Sequence, residues 1–541
     1  MTPQDGPGGQ GFDAVVVGAG LGGLYALYRL REMGLSVLVV EAGPDVGGTW
    51  LWNRYPGARC DVESVDYSYS FSEELEQEWV WTERYASQPE ILSYIRHVAD
   101  RFDLRRHIRF DTRALSARFD EAAGRWDVGL DDDASTSVRF LVLATGALST
   151  ANIPDIPGLA DFRGETYHSG IWPQDHDPDF GGKHVALIGT GSSGIQLAPQ
   201  LASVAERLLV LQRSPNYSIP SRNGPLTAQQ LAEVRSWYPE RRKLARRTKR
   251  GFPLPADLTT ESVFSFTPEE RLDRFERMWR HGGAIFTSTF GDLGVDKAAN
   301  ATAADFVRSK IREKVTSPAV ADLLVPTDHP LGAKRPCVDT DYFETFNREN
   351  VELVDIRSAP IEGITENGIQ IADRHLDVDA IVFATGFDAI TGTLFKIDIR
   401  GRGGRTLPEH WASGPRSYLG IGVAGFPNMF VITGPGSPSV LCNMTVSIEQ
   451  HVEWIRDLLV HMREQGIVTV EPDEAAETAW VDHVAELAAA TLMLEGNSWY
   501  VGANMPGKPR VFMAYAAGMA SYDAEVQAIA QDGYRGFVLL T

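Results

Sequence analysis

The chain has 541 residues, 43% of them hydrophobic and 23% charged, with a formal net charge of −21. That length predicts two or three domains with full hydrophobic cores, and the composition is that of a soluble globular protein. The acidic excess excludes nucleic acid or an anionic membrane as the main partner, because both demand a basic surface.

In chain order, the opening MTPQDGPGGQG has neither the basic nor the apolar stretch of a signal peptide. No later apolar run reaches the roughly 18 residues of a membrane span, so a cytoplasmic location is expected. The first apolar run, FDAVVV, leads into VVVGAGLGG and then a helix pattern through Leu24, Leu27 and Leu30. Gly18, Gly20 and Gly23 spell G-x-G-x-x-G, in which glycines let the backbone approach a pyrophosphate at a helix N-terminus. The next strand pattern, SVLVVE, ends in Glu41, 18 residues past Gly23, where a carboxylate can accept both ribose hydroxyls. This set predicts an unphosphorylated adenosine ribose, as in FAD or NAD.

After a mixed region, RFLVLATG gives a strand ending at Gly146. A second nucleotide pattern follows in VALIGTGSSG, with Gly189, Gly191, Ser192 and Gly194, then a helix through Ile195, Leu197 and Leu201 and the strand LLVLQR. The position 18 residues past Gly194 is Gln212, followed by Arg213 and Ser214. A missing acid with a cation beside it suits a 2′-phosphate, and therefore NADP. Residues from about 226 to 317 carry helix patterns without strand signals. They include RRKLARRTKR, seven cations in ten residues, which reads as a solvated face or loop. The strand DAIVFATG ends at Gly386. The glycine- and proline-rich loop TGPGSPSVLCNM then feeds a helix on which Ser447 and Gln450 suggest a capping box and Ile448, Val452, Ile455 and Leu459 share one face.

The expected fold is α/β, with two Rossmann-like dinucleotide-binding domains. Residues 1–147 and 384–541 would form the FAD domain in two parts. Residues 148–383 would form the NADP domain, with the helical insertion at about 226–317. Two such sites on one chain imply hydride transfer from NADPH to flavin. Cys60, Cys337 and Cys442 have no spacing for a redox dithiol or a metal site and read as reduced thiols, which leaves oxygen as the electron acceptor.

Two longer motifs sharpen this. Phe162, Gly164, His168, Trp172 and Pro173 spell F-x-G-x-x-x-H-x-x-x-W-P. Gly47, Gly48, Trp50, Tyr55, Pro56, Gly57 and Asp61 spell G-G-x-W-x(4)-Y-P-G-x(3)-D. The chain from Phe12 to its last segment thereby resembles the type I Baeyer-Villiger monooxygenases, and its GPGSPSVLCNM loop resembles the phenylacetone and steroid monooxygenase branch.

The resemblance implies an NADPH- and O2-dependent FAD monooxygenase that converts linear, aryl, cyclic or steroidal ketones to esters or lactones through a C4a-peroxyflavin. It assigns catalysis to Arg335, in LGAKRP, with Asp61 as its partner. A guanidinium holds negative charge without giving up a proton. It places Glu41, Thr49, Trp52, Asp61, Tyr67 and Met444 on FAD. Arg213, Ser214 and Lys334 would hold the 2′-phosphate, where two cations meet nearly two charges, with Arg335 and Trp499 also touching NADP. His168 and Trp172 are expected to form a packed linker that organises a hinge. The expected partner is a small-molecule ketone, with the protein a monomer or homodimer and no metal. Two other readings compete. One is a flavin monooxygenase that oxygenates nitrogen or sulfur, which does not need Arg335. The other is a non-catalytic nucleotide-binding protein, against which the second, NADP-type site argues.

Overall fold

The computed structural model describes residues 11–541; the reading of residues 1–10 as free of a targeting signal lies outside them. Ten short strands build two parallel sheets. In chain order they are β1 (Ala14–Val17), β2 (Val37–Val40), β3 (Ile108–Arg109), β4 (Phe140–Leu143), β5 (Glu165–His168), β6 (His184–Ile188), β7 (Arg207–Gln212), β8 (Val351–Asp355), β9 (Ala380–Phe383) and β10 (Met429–Val431). The first sheet runs β10-β4-β1-β2-β3 and the second β8-β7-β6-β9-β5, with every pairing parallel. Central strands such as AVVV, VLVV and AIVF are apolar throughout because helices and meanders cover both sheet faces.

The chain stays in the first sheet through β4, supplies all of the second sheet, and returns to the first at β10. Helices α1 (Leu21–Glu32) and α2 (Ser192–Val204) follow β1 and β6 directly. Register places the ends of neighbouring strands level: Val17 lies beside Val40 and Leu143, and Ile188 beside Leu211 and Phe383. Each glycine turn therefore opens at the carboxyl edge of its sheet, where doubly wound folds bind ligands.

Between β7 and β8 come four longer helices, α3 (Ala228–Arg246), α4 (Pro268–His281), α5 (Lys297–Lys314) and α6 (Pro318–Leu324), and then a single helical turn at Tyr342–Thr345. Capping boxes at Thr227 and Thr267 start the first two. The basic run is only in part the solvated face that its composition suggests: Lys243, Arg247 and Lys249 are exposed, but three of its arginines are paired. Arg241 pairs with Asp66 at 2.6 Å, Arg242 with Glu76 at 2.6 Å and Arg246 with Glu453 at 2.8 Å. These acids lie on segments far away in sequence, which charge counting cannot see.

One helix boundary also departs from the sequence reading. Helix α7 (Met444–Gln465) is capped by Asn443, whose side chain accepts from the Thr445 amide. Ser447 and Gln450 lie buried inside the helix, with the Ser447 hydroxyl and both Gln450 amide atoms unpartnered. Asn443 wins because its other groups are held as well: its Nδ2 donates to Asp66 O at 2.7 Å and its backbone N–H to Arg250 O at 2.8 Å. Ile448, Val452, Ile455 and Leu459 are all buried. Among the described residues, no helix is long and apolar enough to cross a membrane.

Candidate active site

The two glycine turns are built alike. Gly18 has φ of +104° and Gly189 of +113°, and a Cβ on them would stand 2.6 Å from Ala144 O and 2.4 Å from Ala384 O. A Cβ on Gly23 or Gly194 would strike the carbonyl of Gly18 or Gly189 at 1.8 and 2.0 Å. These positions can only be glycine. Neither Gly20 nor Gly191, the N-caps of α1 and α2, supplies a capping side chain. The first-turn N–H groups are thus left for an anion from outside.

Both turns open on one cleft of about 1870 Å³. A single small-ligand pocket holds about 300–1,000 Å³, so there is room for two dinucleotides end to end. Gly18, Gly20, Glu41, Thr49, Trp52, Asp61, Tyr67 and Met444 line it from the first sheet's side. Gly189, Gly191, Ser192, Arg213, Ser214, Lys334, Arg335 and Trp499 complete its lining. Gly23 and Gly194 lie behind the turns and act by close packing.

At the first turn, Glu41 is buried and accepts from the Ala19 and Gly43 amides at 2.7 and 2.8 Å. Burial pushes its carboxyl above the usual range, with those N–H groups opposing. Thr49 and Trp52 lie on a one-turn helix (Thr49–Trp52) that starts after Gly48. The Tyr67 hydroxyl accepts from Trp50 Nε1 at 3.2 Å, and burial raises its pKa.

At the second turn the acid is absent. Gln212 points away, donating to Leu323 O at 2.8 Å, and the cleft is left to exposed Arg213 and half-buried Lys334. Burial lowers the Lys334 ammonium, Asp328 opposes, and Arg213 lowers it further. Two cations that repel across an open slot fit a dianionic phosphate.

Between the turns stands Arg335. Its Nε and Nη2 donate to the two Asp61 oxygens at 2.9 and 2.8 Å, and Nη1 donates to Val440 O at 2.6 Å. Burial works against its charge, but Asp61 and Tyr500 outweigh it and the guanidinium pKa rises. Tyr500, buried next to Trp499, has no signature in the sequence reading; only the fold brings residue 500 to residue 335.

The two long motifs meet. The Trp172 ring packs against Tyr55 with centroids 6.4 Å apart, and the Trp172 amide donates to Trp52 O at 3.3 Å. Tyr55 Oη donates to Gln196 of α2 at 2.8 Å, and a Cβ on Gly57 would stand 2.7 Å from Gln196 O. Glu165–His168 is the edge strand β5 of the second sheet rather than a linker, because it pairs in register with Ala380–Phe383. His168 accepts from the Gly170 amide at 2.9 Å, and burial drives its pKa down to about 4. Tyr55 and Trp172 thus join the two motifs, whereas the partners of His168, namely Gly170, Thr385 and Phe387, lie on the second sheet's own side.

A fold with two dinucleotide turns on one cleft, and a half-buried, ion-paired arginine in the lining of that cleft, defines a two-cofactor oxidoreductase. Comparison with known proteins narrows this. The family described as flavin-binding monooxygenase-like matches residues 13–224. A Baeyer-Villiger monooxygenase of Pseudooceanicola batsensis is 42% identical over 98% of this chain and 96% of its own length. A phenazine N-monooxygenase of Lysobacter antibioticus is 40% identical over 98% and 97%. A solved oxidised steroid monooxygenase bound to NADP is 52% identical, with a TM-score of 0.93 over 98% of this chain and 99% of that one. The chain belongs to the Baeyer-Villiger monooxygenase family of flavoproteins.

Proposed function

We propose that this enzyme binds FAD at the first turn and NADPH at the second, consumes O2, and converts ketones to esters or lactones. The observation that carries the reading is Arg335, locked by Asp61 and the Val440 carbonyl in a cleft onto which two uncapped glycine turns open. Bound FAD, reduced by NADPH, supplies the oxygen-activating chemistry.

The chain's own residues do the rest. Glu41 takes the FAD ribose, and Thr49, Trp52, Asp61, Tyr67 and Met444 wall the flavin end. Arg213, Ser214 and Lys334 take the 2′-phosphate, and Trp499 covers the NADP ribose. Asp61 occupies two faces of the Arg335 fork and fixes its plane. The remaining Arg335 donors are presented to negative charge that develops on the substrate's carbonyl oxygen, a preorganised stabilisation. Its raised pKa keeps the proton on the guanidinium throughout.

The proposed division follows the sheets: residues 1–147 and 384–541 form the FAD domain and 148–383 the NADP domain, with the insertion at about 226–317. Substrates are linear, aryl, cyclic or steroidal ketones, the location is cytoplasmic, and the protein is a monomer or homodimer. The N-monooxygenase relative favours one second reading, oxygen transfer to nitrogen or sulfur. Incubating the flavin-loaded enzyme with NADPH, oxygen and a panel of ketones, amines and sulfides separates them. Ester or lactone formation that disappears in Arg335→Ala supports the first reading. Oxidised amine or sulfide without ester, undiminished in that variant, replaces it with the second.

A further inference from the structure

Arg335 is anchored through side chains. Among the described residues no main-chain N–H reaches Arg335 O, and the Arg335 N–H makes no main-chain hydrogen bond. Its guanidinium is held by Asp61 and Val440 O. Its carbonyl is held by Asn216, whose Nδ2 donates to Arg335 O at 3.4 Å and to Cys337 Sγ at 3.2 Å, with the Cys337 thiol 4.0 Å from the same carbonyl. A carbonyl only accepts, so the end of the Asn216 amide that faces it must be the NH2 group.

The other end of this tie is the second glycine turn. Asn216 follows Arg213 and Ser214, the proposed phosphate ligands, in one short segment. Ser214 O accepts from Thr190 Oγ1 at 3.0 Å, and Cys337 Sγ lies 3.5 Å from Ser192 Oγ. Thr190 and Ser192 flank Gly191. Beyond Asn216, Ser218–Pro220 pairs in parallel with Cys337–Asp339, and the Cys337 N–H donates to Tyr217 O at 3.0 Å. Thr190, Ser192, Ser214, Asn216 and Arg335 all line the cleft. Turn, phosphate segment and Arg335 are thereby joined through Asn216 and the buried Cys337.

Packing alone does not call for an amide at this position. Asn216 Oδ1 is buried without a partner, and such an atom costs stability that an apolar side chain of the same shape avoids. What the amide alone provides is a donor for Arg335 O.

We infer that Asn216 is a positioning residue: it sets the Arg335 main chain against the second glycine turn and the phosphate segment, so that a dinucleotide seated in that turn fixes the place from which the guanidinium works. This rests on the proposed function above. Thr190 holds Ser214 independently, so loss of the Asn216 amide releases the Arg335 end of the tie and leaves the phosphate end in place.

The test uses flavin-loaded enzyme. Asn216→Leu, which keeps the shape and removes the donor, should leave flavin content, melting temperature and KM for NADPH near their wild-type values. Ester formed per NADPH consumed should fall about fivefold, the worth of one neutral hydrogen bond. Added to Arg335→Ala, the same substitution should take nothing further from the residual ester, as expected for two residues that act as one unit. Cys337→Ser, which keeps a polar bridge between Ser192 and Asn216, should retain most of the yield, and Cys337→Val should lose it. Without turnover, NADP+ should slow hydrogen exchange in residues 189–194 and 334–337 of wild type, and in 189–194 alone of Asn216→Leu. Slowing of both segments in that variant, a further loss of ester on top of Arg335→Ala, or a lower melting temperature that accounts for the lost yield overturns the inference while ester still forms. Absence of ester from every ketone overturns instead the reading on which it rests.

Discussion

The two glycine turns share a backbone and differ in one ligand. Both place a positive-φ glycine against a neighbouring strand's carbonyl and a second glycine inside van der Waals contact of the first. Both lack a capping side chain. The first then offers a buried carboxylate, Glu41, braced by two amides. The second offers an open pair of cations, Arg213 and Lys334. On the proposed assignment, affinity for a dinucleotide is a property of the turn, whereas the choice between dinucleotides is a property of the side chains at the end of the next strand.

The largest effect that would break this comparison comes from filling a turn. Gly23→Ala should abolish flavin retention, read as loss of visible absorbance in purified protein, because the new Cβ has no room beside Gly18 O. Gly194→Ala should leave flavin bound and remove NADPH oxidation. If both variants lost flavin, the assignment of one cofactor to each turn would fail.

Next in size, Arg335→Ala should cut ester formation by about 10²–10³-fold, the cost of losing one preorganised donor to developing charge. NADPH oxidation should persist, uncoupled from ester. A parallel fall in both rates would place Arg335 in cofactor binding alone.

A smaller effect tests the ligand that separates the turns. Arg213→Ala should raise KM for NADPH about tenfold or more, as expected for one charge-assisted contact to phosphate, with little change for NADH. Equal effects on both nucleotides would move the phosphate elsewhere.

The smallest concerns the buried histidine at the end of the second sheet's edge strand. His168 is buried and held neutral, with a folded-state pKa of about 4 against about 6.5 unfolded. Protonation therefore favours the unfolded chain. The contribution is fully present above about pH 6.5 and is lost as pH falls towards 4. His168→Gln should flatten the acid side of a melting-temperature profile between those limits. It should do so only in part, because buried His451, with a pKa pushed down to about 3, has the same sign. An unchanged profile would remove His168 from the acid response.

Much of the site was legible because its chemistry is local. Gly18, Gly20, Gly23 and Glu41 belong to one strand-turn-helix-strand unit, so their spacing alone carries the geometry, and the same holds from Gly189 to Arg213. Other elements were misread for want of long-range partners. Arg241, Arg242 and Arg246 of the basic run have acids waiting on segments far away in sequence, Asp66, Glu76 and Glu453. Asn443 displaced the Ser447 capping box because Asp66 and Arg250 hold it. His168 and Trp172 sit on and after an edge strand whose partner is not synthesised until Ala380.

The sequence by itself determined the two glycine turns, the strands that flank them directly and the residues that differ between them, Glu41 and Arg213, because strand period, glycine spacing and charge act within one supersecondary unit. Only the tertiary structure decided which charges meet. It closed Asp61 onto Arg335 across 274 positions and set Tyr500 beside them. Ion pairs and close packing depend on distance in space, and that distance exists only once the chain has returned from the second sheet to the first.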